Sequence, residues 1–321
     1  AYPCFMTSEE LTEIHDLQEK SKENFGVYGK WAKFRDLSFE EIKEKVDAGT
    51  PYVIRLRAHD YSALASEDVP TFTISDAIRG PLTMPRNGQD TVLLKANGIP
   101  TYHFAHAIDD HLMRTTHVVR GEEWLSSLPV HVDLFERLGF EMPIFCHTAH
   151  LMKIDEETGQ KRKLSKRKDP ELSLDYYRMD GYHPAAVREY LLTLLNSNFE
   201  EWRIANPDSD IDEFKFSLEK MGNSGALFDL VKLHDVSKEV LLKISAADLY
   251  DFLLSWAKET NSDFKNIIEN NREMLLKILD IGRSGDKPRK DLIYAKQIVD
   301  FISYFFDETF KITETAPDNV S

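Results

Sequence analysis

The chain has only two cysteines, Cys4 and Cys146, far apart and in no CxxC pair. That excludes a disulfide framework and a cysteine-based zinc site, and it fits a reducing cytoplasm. No run approaches the roughly 18 apolar residues of a membrane helix, and no cationic stretch followed by an apolar one opens the chain. Neither a membrane span nor a signal segment is expected. Low-complexity tracts and fixed-period repeats are also missing, so a repeat architecture is not expected. Positive charge is outweighed: 40 Lys+Arg stand against 55 Asp+Glu, a formal net charge of −15. That balance argues against non-specific coating of nucleic acid or anionic membrane, while allowing a locally basic docking face. An initiator Met is lacking too. Ala1-Tyr2-Pro3-Cys4-Phe5 reads like the inside of a strand or turn, and the polar stretch Thr315-Ala316-Pro317-Asp318 lies close to the end. A piece cut from a longer protein is expected.

What is present is ordinary in bulk: 42% hydrophobic and 30% charged residues, as in soluble globular proteins. The length suits roughly two or three domains at about 100–200 residues each. One local feature is unusual. Lys161-Arg162-Lys163-Leu164-Ser165-Lys166-Arg167-Lys168 gathers six positive charges in eight residues. Such a run on an acidic chain faces either a polyanion, such as a triphosphate or an RNA backbone, or only solvent as a loop or localisation-type run. Charge alone favours neither.

The elements fall into a mixed first part and a helical second part. Thr7-Ser8-Glu9-Glu10 and Ser38-Phe39-Glu40-Glu41 are capping boxes, the first followed by Leu11, Ile14 and Leu17 at helical spacing, the second by Ile42 and Val46 with Gly49 as the stop. Strands are predicted at Tyr52 to Arg57, Phe72–Ile74 and Val92–Leu94, giving an α+β unit over 1–98. After the turn Asn97-Gly98-Ile99-Pro100 the pattern alternates helix and strand. A helix over 101–113, a strand at 116–119, an amphipathic helix over 122–138 closed by Gly139, and a strand over 144–151 imply a parallel α/β layer. Beyond the octet, Val187, Tyr190, Leu191, Leu194 and Leu195 share a helical face. Ser245 caps a helix carrying Leu249, Phe252, Leu253 and Trp256, and 271–281 and 290–306 predict two more, separated by Gly282-Arg283-Ser284-Gly285.

Within the octet, Lys163 and Lys166 lie three apart around Ser165, so a loop can set two ammonium groups and a hydroxyl against one triphosphate. Upstream stand Ile99-Pro100-Thr101-Tyr102-His103-Phe104, Asp109-Asp110-His111-Leu112-Met113 and His117-Val118-Val119-Arg120-Gly121-Glu122-Glu123-Trp124-Leu125; downstream stands Leu227-Phe228-Asp229-Leu230 with Lys232 and Leu233. In this order, over about residues 1–240 and more loosely beyond, the chain resembles the bacterial glutamyl-tRNA synthetases, class I aminoacyl-tRNA synthetases. The lysine loop resembles their second signature, KMSKS, often KLSKR here.

The resemblance implies a fold: the second half of a class I Rossmann catalytic domain with its α+β insertion, then mostly helical stem-contact and anticodon-binding regions. The implied divisions are 1–98 (acceptor-binding insertion), 99–150 (second Rossmann half), 151–240 (stem contact, with the KLSKR loop) and 241–321 (part of the anticodon-binding helices). It implies ATP-dependent activation of glutamate and transfer to tRNA(Glu), with Mg²⁺ carried by the nucleotide, in a cytoplasmic and monomeric enzyme. Lys163, Ser165 and Lys166 would stabilise the ATP phosphates, with Lys166 foremost. Tyr102 and Arg120 would hold glutamate, and Glu123 and Trp124 would lie beside the adenosine. Arg120 suits a bidentate carboxylate on its own chemistry too, although the residues alone, without the resemblance, favour an internal pair with Asp109 or Asp110. Trp124 could equally be a core residue of an amphipathic helix.

Two departures matter. His106 occupies a position where the family usually has a smaller or neutral polar residue near the amino-acid pocket. It is either a substrate contact or a satisfied core histidine. His103, His106 and His111 superficially resemble a metal site, but lack supporting cysteines. Some relatives carry a zinc knuckle, of which Cys4 would keep one ligand, so neither zinc nor another protein-bound metal is expected. The first class I signature, HIGH-like, is missing, so the chain is expected to begin inside the insertion and to be inactive alone. The rival functions are a glutaminyl or tRNA-modifying relative, and a non-catalytic tRNA- or partner-binding protein on a synthetase-derived fold.

Overall fold

A computed structural model describes residues 1–61, 63–283 and 288–310. The predicted tail at Thr315–Asp318, and Ser284 and Gly285 of the predicted helix spacer, lie outside the described residues. The chain forms two compact units, Ala1–Thr148 and Ala149–Ser321.

In the first unit the N-terminal pentapeptide does enter a strand. β1 (Tyr2–Cys4) pairs antiparallel with β2 (Val53–Arg55), which pairs with β5 (Val92–Leu94). Both capping boxes form, at the starts of α1 (Ser8–Ser21) and α2 (Phe39–Asp47): each hydroxyl accepts the N3 amide while the N3 glutamate reaches back. The predicted strand at 72–74 is the middle of β3 (Thr71–Asp76), whose hairpin partner β4 (Gly80–Pro85) sequence reading misses. Pro81 and Pro85 argue against a strand, yet a two-stranded ribbon has free edges that tolerate them.

α3 (Tyr102–Met113) leads to β6 (His117–Gly121), and β6 pairs in parallel with β7 (Ile144–Thr148), as the helix–strand alternation predicts. The connecting helix is not continuous over 122–138. Residues Glu122–Ser127 form a 3₁₀ segment, and α4 begins only at Leu128, running to Leu138. Pro129 is the cause: it lacks the N–H that a continuous helix would need there, so it belongs in a first turn. Gly139 closes α4 with φ +67°. β7 ends at Thr148 rather than running to Leu151. The β3–β4 hairpin docks on β7, where the Ala77 amide donates to the Phe145 carbonyl at 2.9 Å, and Phe72, Leu128, Val132 and Phe145 share a core.

In the second unit, the residues after 148 turn into another hairpin: the Leu164 amide donates to the Leu151 carbonyl at 3.0 Å. β8 (Met152–Ile154) pairs antiparallel with β9 (Lys161–Lys163). Helices follow: α5 (Leu174–Asp180), α6 (Pro184–Leu195), α7 (Phe199–Ala205), α8 (Leu230–Lys243), α9 (Ala246–Thr260), α10 (Ser262–Asn270), α11 (Arg272–Asp280) and α12 (Ala295–Ile302). α10 is not predicted from sequence, and α12 is shorter than the predicted 290–306. Leu249, Leu253, Ile268, Leu275 and Ile298 build the core of the last four helices. The predicted apolar face of α6 divides its work. Tyr190 is buried, while Val187, Leu191 and Leu195 line an open groove of about 890 Å³ with Phe252 and Trp256 of α9.

Candidate active site

Each unit carries one part of the predicted site. In the first, Arg120 sits where β6 approaches its end, on a strand whose neighbouring Val119 is exposed. Its guanidinium is half-buried and makes neither of the internal ion pairs open to it in the sequence. Nε donates to His147 Nε2 at 3.0 Å, and Nη1 donates to His131 Nδ1 at 2.8 Å. Nη2 is buried and has no hydrogen-bond partner. A buried, unpaired guanidinium nitrogen is costly, and an anionic acceptor relieves that cost. Burial pushes the Arg120 pKa down, opposed by Tyr102 and Asp110.

Two helices supply the walls. Tyr102, the first residue of α3, places its ring 4.5 Å from that of Trp124 and stacks at 6° on His106 one turn along. Trp124 belongs to the 3₁₀ segment and faces the Arg120 guanidinium at 6.0 Å. Tyr102 is half exposed, so this aromatic pair borders the site rather than filling the core. Glu123 is exposed and folds its carboxylate back over Gly121, leaving no room there for a Cβ.

His106 fits neither simple alternative. Its side chain is 6% exposed, with Nδ1 2.6 Å from Asp110 Oδ2 out of hydrogen-bond alignment, and its Nε2 is buried without a partner. It is a core histidine, but not a satisfied one. Burial lowers its pKa, with Asp110 opposing the shift. His103 joins the cluster through His131, with Nδ1 2.9 Å from His131 Nε2. His111 instead stacks on Phe140 at 3.7 Å. No cluster of three or more metal-capable side chains occurs among the described residues. Cys4 is buried with Tyr2, Phe5 and Phe34.

In the second unit the octet is half strand. Lys161–Lys163 form β9, and the chain then turns, with Ser165 O accepting from the Lys168 and Asp169 amides at 3.1 and 2.9 Å. Leu164 is the anchor, 2% exposed in a core with Tyr182, Tyr190, Phe228 and Leu233. The downstream motif serves the same structure. Phe228 N donates to Met152 O at 2.7 Å beside β8, and Asp229 caps α8. The six charges are not equivalent. Arg162 is consumed by Asp155 and Asp169, and Lys163 approaches His150 Nε2 at 3.1 Å. Lys166, Arg167 and Lys168 are exposed, and none makes an ion pair with another described residue.

A family model described as tRNA synthetases class I (E and Q), catalytic domain, matches residues 1–234. The chain belongs to this family. It is 61% identical to the glutamate–tRNA ligase of Acetivibrio thermocellus over 320 residues, covering all of this chain and 57% of that protein. It is 49% identical to the glutamate–tRNA ligase of Clostridium perfringens strain 13, over 99% of this chain and 57% of that one. The crystal structure of a glutamate tRNA ligase from Elizabethkingia meningosepticum in complex with its amino acid superposes with a TM-score of 0.74 at 29% identity, covering 95% of this chain and 60% of that chain. The chain thus spans a little over half the length of the relatives it matches.

Within this class I synthetase chain, Tyr102, His106, Arg120 and Trp124 cluster, while Glu123 borders them from the surface. In the other unit Lys163 ends β9, and Ser165 and Lys166 lie in the turn that follows it. Sequence reading misses Asp76, His131 and His147, which hold Arg120 directly or through one another. The signal available was three polar residues in stretches otherwise apolar enough to be core, and it says nothing of the partner. No helix among the described residues is long and apolar enough to cross a membrane.

Proposed function

We propose that the protein containing this chain is a glutamate–tRNA ligase. The glutamate α-carboxylate attacks the α-phosphorus of ATP, pyrophosphate leaves, and glutamyl-adenylate forms. The terminal ribose hydroxyl of tRNA(Glu) then takes the acyl group and AMP departs. The observation that carries this reading is Arg120 Nη2: a buried cationic donor without a partner, beside the aromatic pair Tyr102 and Trp124. A fixed guanidinium suits a substrate carboxylate, and the ring of Trp124 offers a flat face for a base. His106 Nε2 supplies a second buried polar atom for the amino acid. Glu123 lies at the nucleotide side.

Lys163, Ser165 and above all Lys166 meet the ATP phosphates, where charge develops as pyrophosphate leaves. Mg²⁺ arrives with ATP and adds charge there. We assign no protein-bound zinc, since Cys4 is a single thiol in an apolar cluster. Residues 1–98 meet the acceptor end of the tRNA, 151–240 its inner corner, and 241–321 part of the anticodon arm; acidity does not prevent this, because shape and local basic faces carry RNA recognition. The enzyme works as a cytoplasmic monomer.

The test is amino-acid-dependent ATP–pyrophosphate exchange on the complete protein, with and without tRNA. Exchange that requires glutamate, and that Arg120→Ala depresses roughly 10- to 100-fold in kcat/KM for glutamate, is the expected result for loss of a charged hydrogen bond. Tight tRNA binding with no exchange for any amino acid would instead identify a non-catalytic binding protein, and exchange selective for glutamine a glutaminyl enzyme.

A further inference from the structure

Behind Arg120 lies a polar chain in which Asp76, His131 and His147 are buried. The Arg120 guanidinium has donors only, so each imidazole it meets must present a bare nitrogen. His147 therefore accepts at Nε2 and carries its proton on Nδ1, which lies 2.7 Å from Asp76 Oδ2. The side chains of His147 and Asp76 are both 0% exposed. Asp76 cannot swing away: its Oδ1 accepts the Ile78 and Arg79 amides, each at 2.9 Å, and its Oδ2 accepts the His147 amide at 3.1 Å. The same logic runs along the other arm. His131 accepts from Arg120 at Nδ1, so its proton sits on Nε2 and points to His103 Nδ1 at 2.9 Å. With Nε and Nη1 both held, a planar guanidinium has no rotational freedom left, and the direction of Nη2 is set.

Resting on the assignment of Arg120 to the substrate carboxylate, we propose that Asp76 and His147 are positioning residues that aim Arg120 Nη2 at that carboxylate, with His147 locked as the neutral Nδ1–H tautomer and His131 bracing the second nitrogen. Asp76 lies at the end of β3, in the hairpin docked on β7, so a turn 44 residues upstream in sequence sets the angle of the substrate anchor. Outer partners of this kind fix the orientation of the group that does touch substrate, and small losses of aim are costly in rate.

The direct test uses the unmodified complete protein. Long-range ¹H–¹⁵N correlation of its imidazoles at neutral pH should show His147 as the Nδ1–H tautomer and His131 as the Nε2–H tautomer. His147 found as Nε2–H, or doubly protonated, overturns the proposal. The functional test compares two substitutions in ATP–pyrophosphate exchange. His147→Leu leaves Arg120 Nε without an acceptor and should raise KM for glutamate about 10-fold with KM for ATP within about twofold. His147→Gln, whose amide can accept from Arg120 and donate to Asp76, should recover most of that loss. Equal effects of Leu and Gln, or KM for ATP rising in step, mean a merely structural histidine and sink the proposal. Arg120→Ala separates the two levels. If it leaves KM for glutamate unchanged, the Arg120 assignment itself fails. If it raises KM while His147→Leu does not, only the positioning role fails. Should His147→Leu not fold, the tautomer measurement still decides.

Discussion

Arg162 grips both carboxylate oxygens of Asp169, through Nη1 at 2.6 Å and Nη2 at 2.7 Å, across the turn that carries the signature lysines. Asp169 is 1% exposed and also accepts the Ser165 amide at 2.8 Å, so one buried carboxylate ties the strand, the turn and the serine together. The Arg162 hydrogen bonds, aided by that amide, lower its pKa from 3.8 to about 2 against the opposing effect of burial. A carboxylate with a depressed folded-state pKa stabilises fully above its unfolded value, and the contribution drains away as pH falls through the folded one. The window is therefore roughly pH 4 to 2. Asp169→Asn should lower the unfolding midpoint at pH 7 and flatten its fall across that window, measured by thermal denaturation at stepped pH. Parallel wild-type and variant curves below pH 4 would contradict this.

The neighbouring cations have different work, and substitution should separate them. Arg162 is fully engaged inside the protein, whereas Lys166 is exposed and makes no ion pair with a described residue. Lys166→Ala should cost about 100- to 1000-fold in kcat for ATP–pyrophosphate exchange, the scale of removing one transition-state donor, with the melting temperature unchanged. Arg162→Ala should show the reverse emphasis, losing stability and then activity through a disordered turn. If Lys166→Ala leaves exchange untouched, the octet is only a solvated basic run.

The sequence carried the elements with local signals and lost those set by long-range contact. Two capping boxes and Gly139 follow from spacing within a few residues, and the parallel pairing of 117–121 with 144–148 follows from the strand–helix–strand alternation that joins them. Strand β4 was hidden because its prolines are tolerated only on a ribbon with free edges, a fact about neighbours rather than about 80–85 itself. The site divides in the same way. Tyr102, Arg120 and Trp124 were legible by motif, but Asp76 and His147 are 71 residues apart, and nothing local announces that they meet. The octet was legible as charge, while the engagement of Arg162 inside the fold and the exposure of Lys166 depend on Asp155 and Asp169 folding back onto it.

Histidines in the first unit predict acid sensitivity. His131 is 0% exposed, and burial, reinforced by Arg120, lowers its pKa from 6.5 to about 2. His103 and His106 shift in the same direction, mainly through burial. The unfolded chain then binds protons that the folded one refuses, so stability is complete above about pH 6.5 and falls steadily below it. Each such histidine contributes at most about 1.4 kcal/mol per pH unit. Chemical denaturation at pH 7, 6 and 5 should show a falling unfolding free energy. A flat profile over that range would mean these rings are protonated in the folded state.

His106 offers the sharpest separation of stability from binding. Its Nε2 is a buried polar atom without a partner, which costs roughly 1–3 kcal/mol in the unliganded protein. A ligand group that hydrogen-bonds to the nitrogen would offset that cost. His106→Leu, close in volume and free of the orphan, should leave the unliganded protein as stable or about 1 kcal/mol more stable, because it removes desolvated polarity and keeps the packing against Tyr102 and Phe135. The same change should raise KM for glutamate about 10-fold and shrink the upward shift in melting temperature that glutamate produces. A stability gain with unaltered glutamate affinity would make His106 a strained core residue and nothing more. A stability loss with unaltered affinity would show that its contact with Asp110, at 2.6 Å, is what the fold requires.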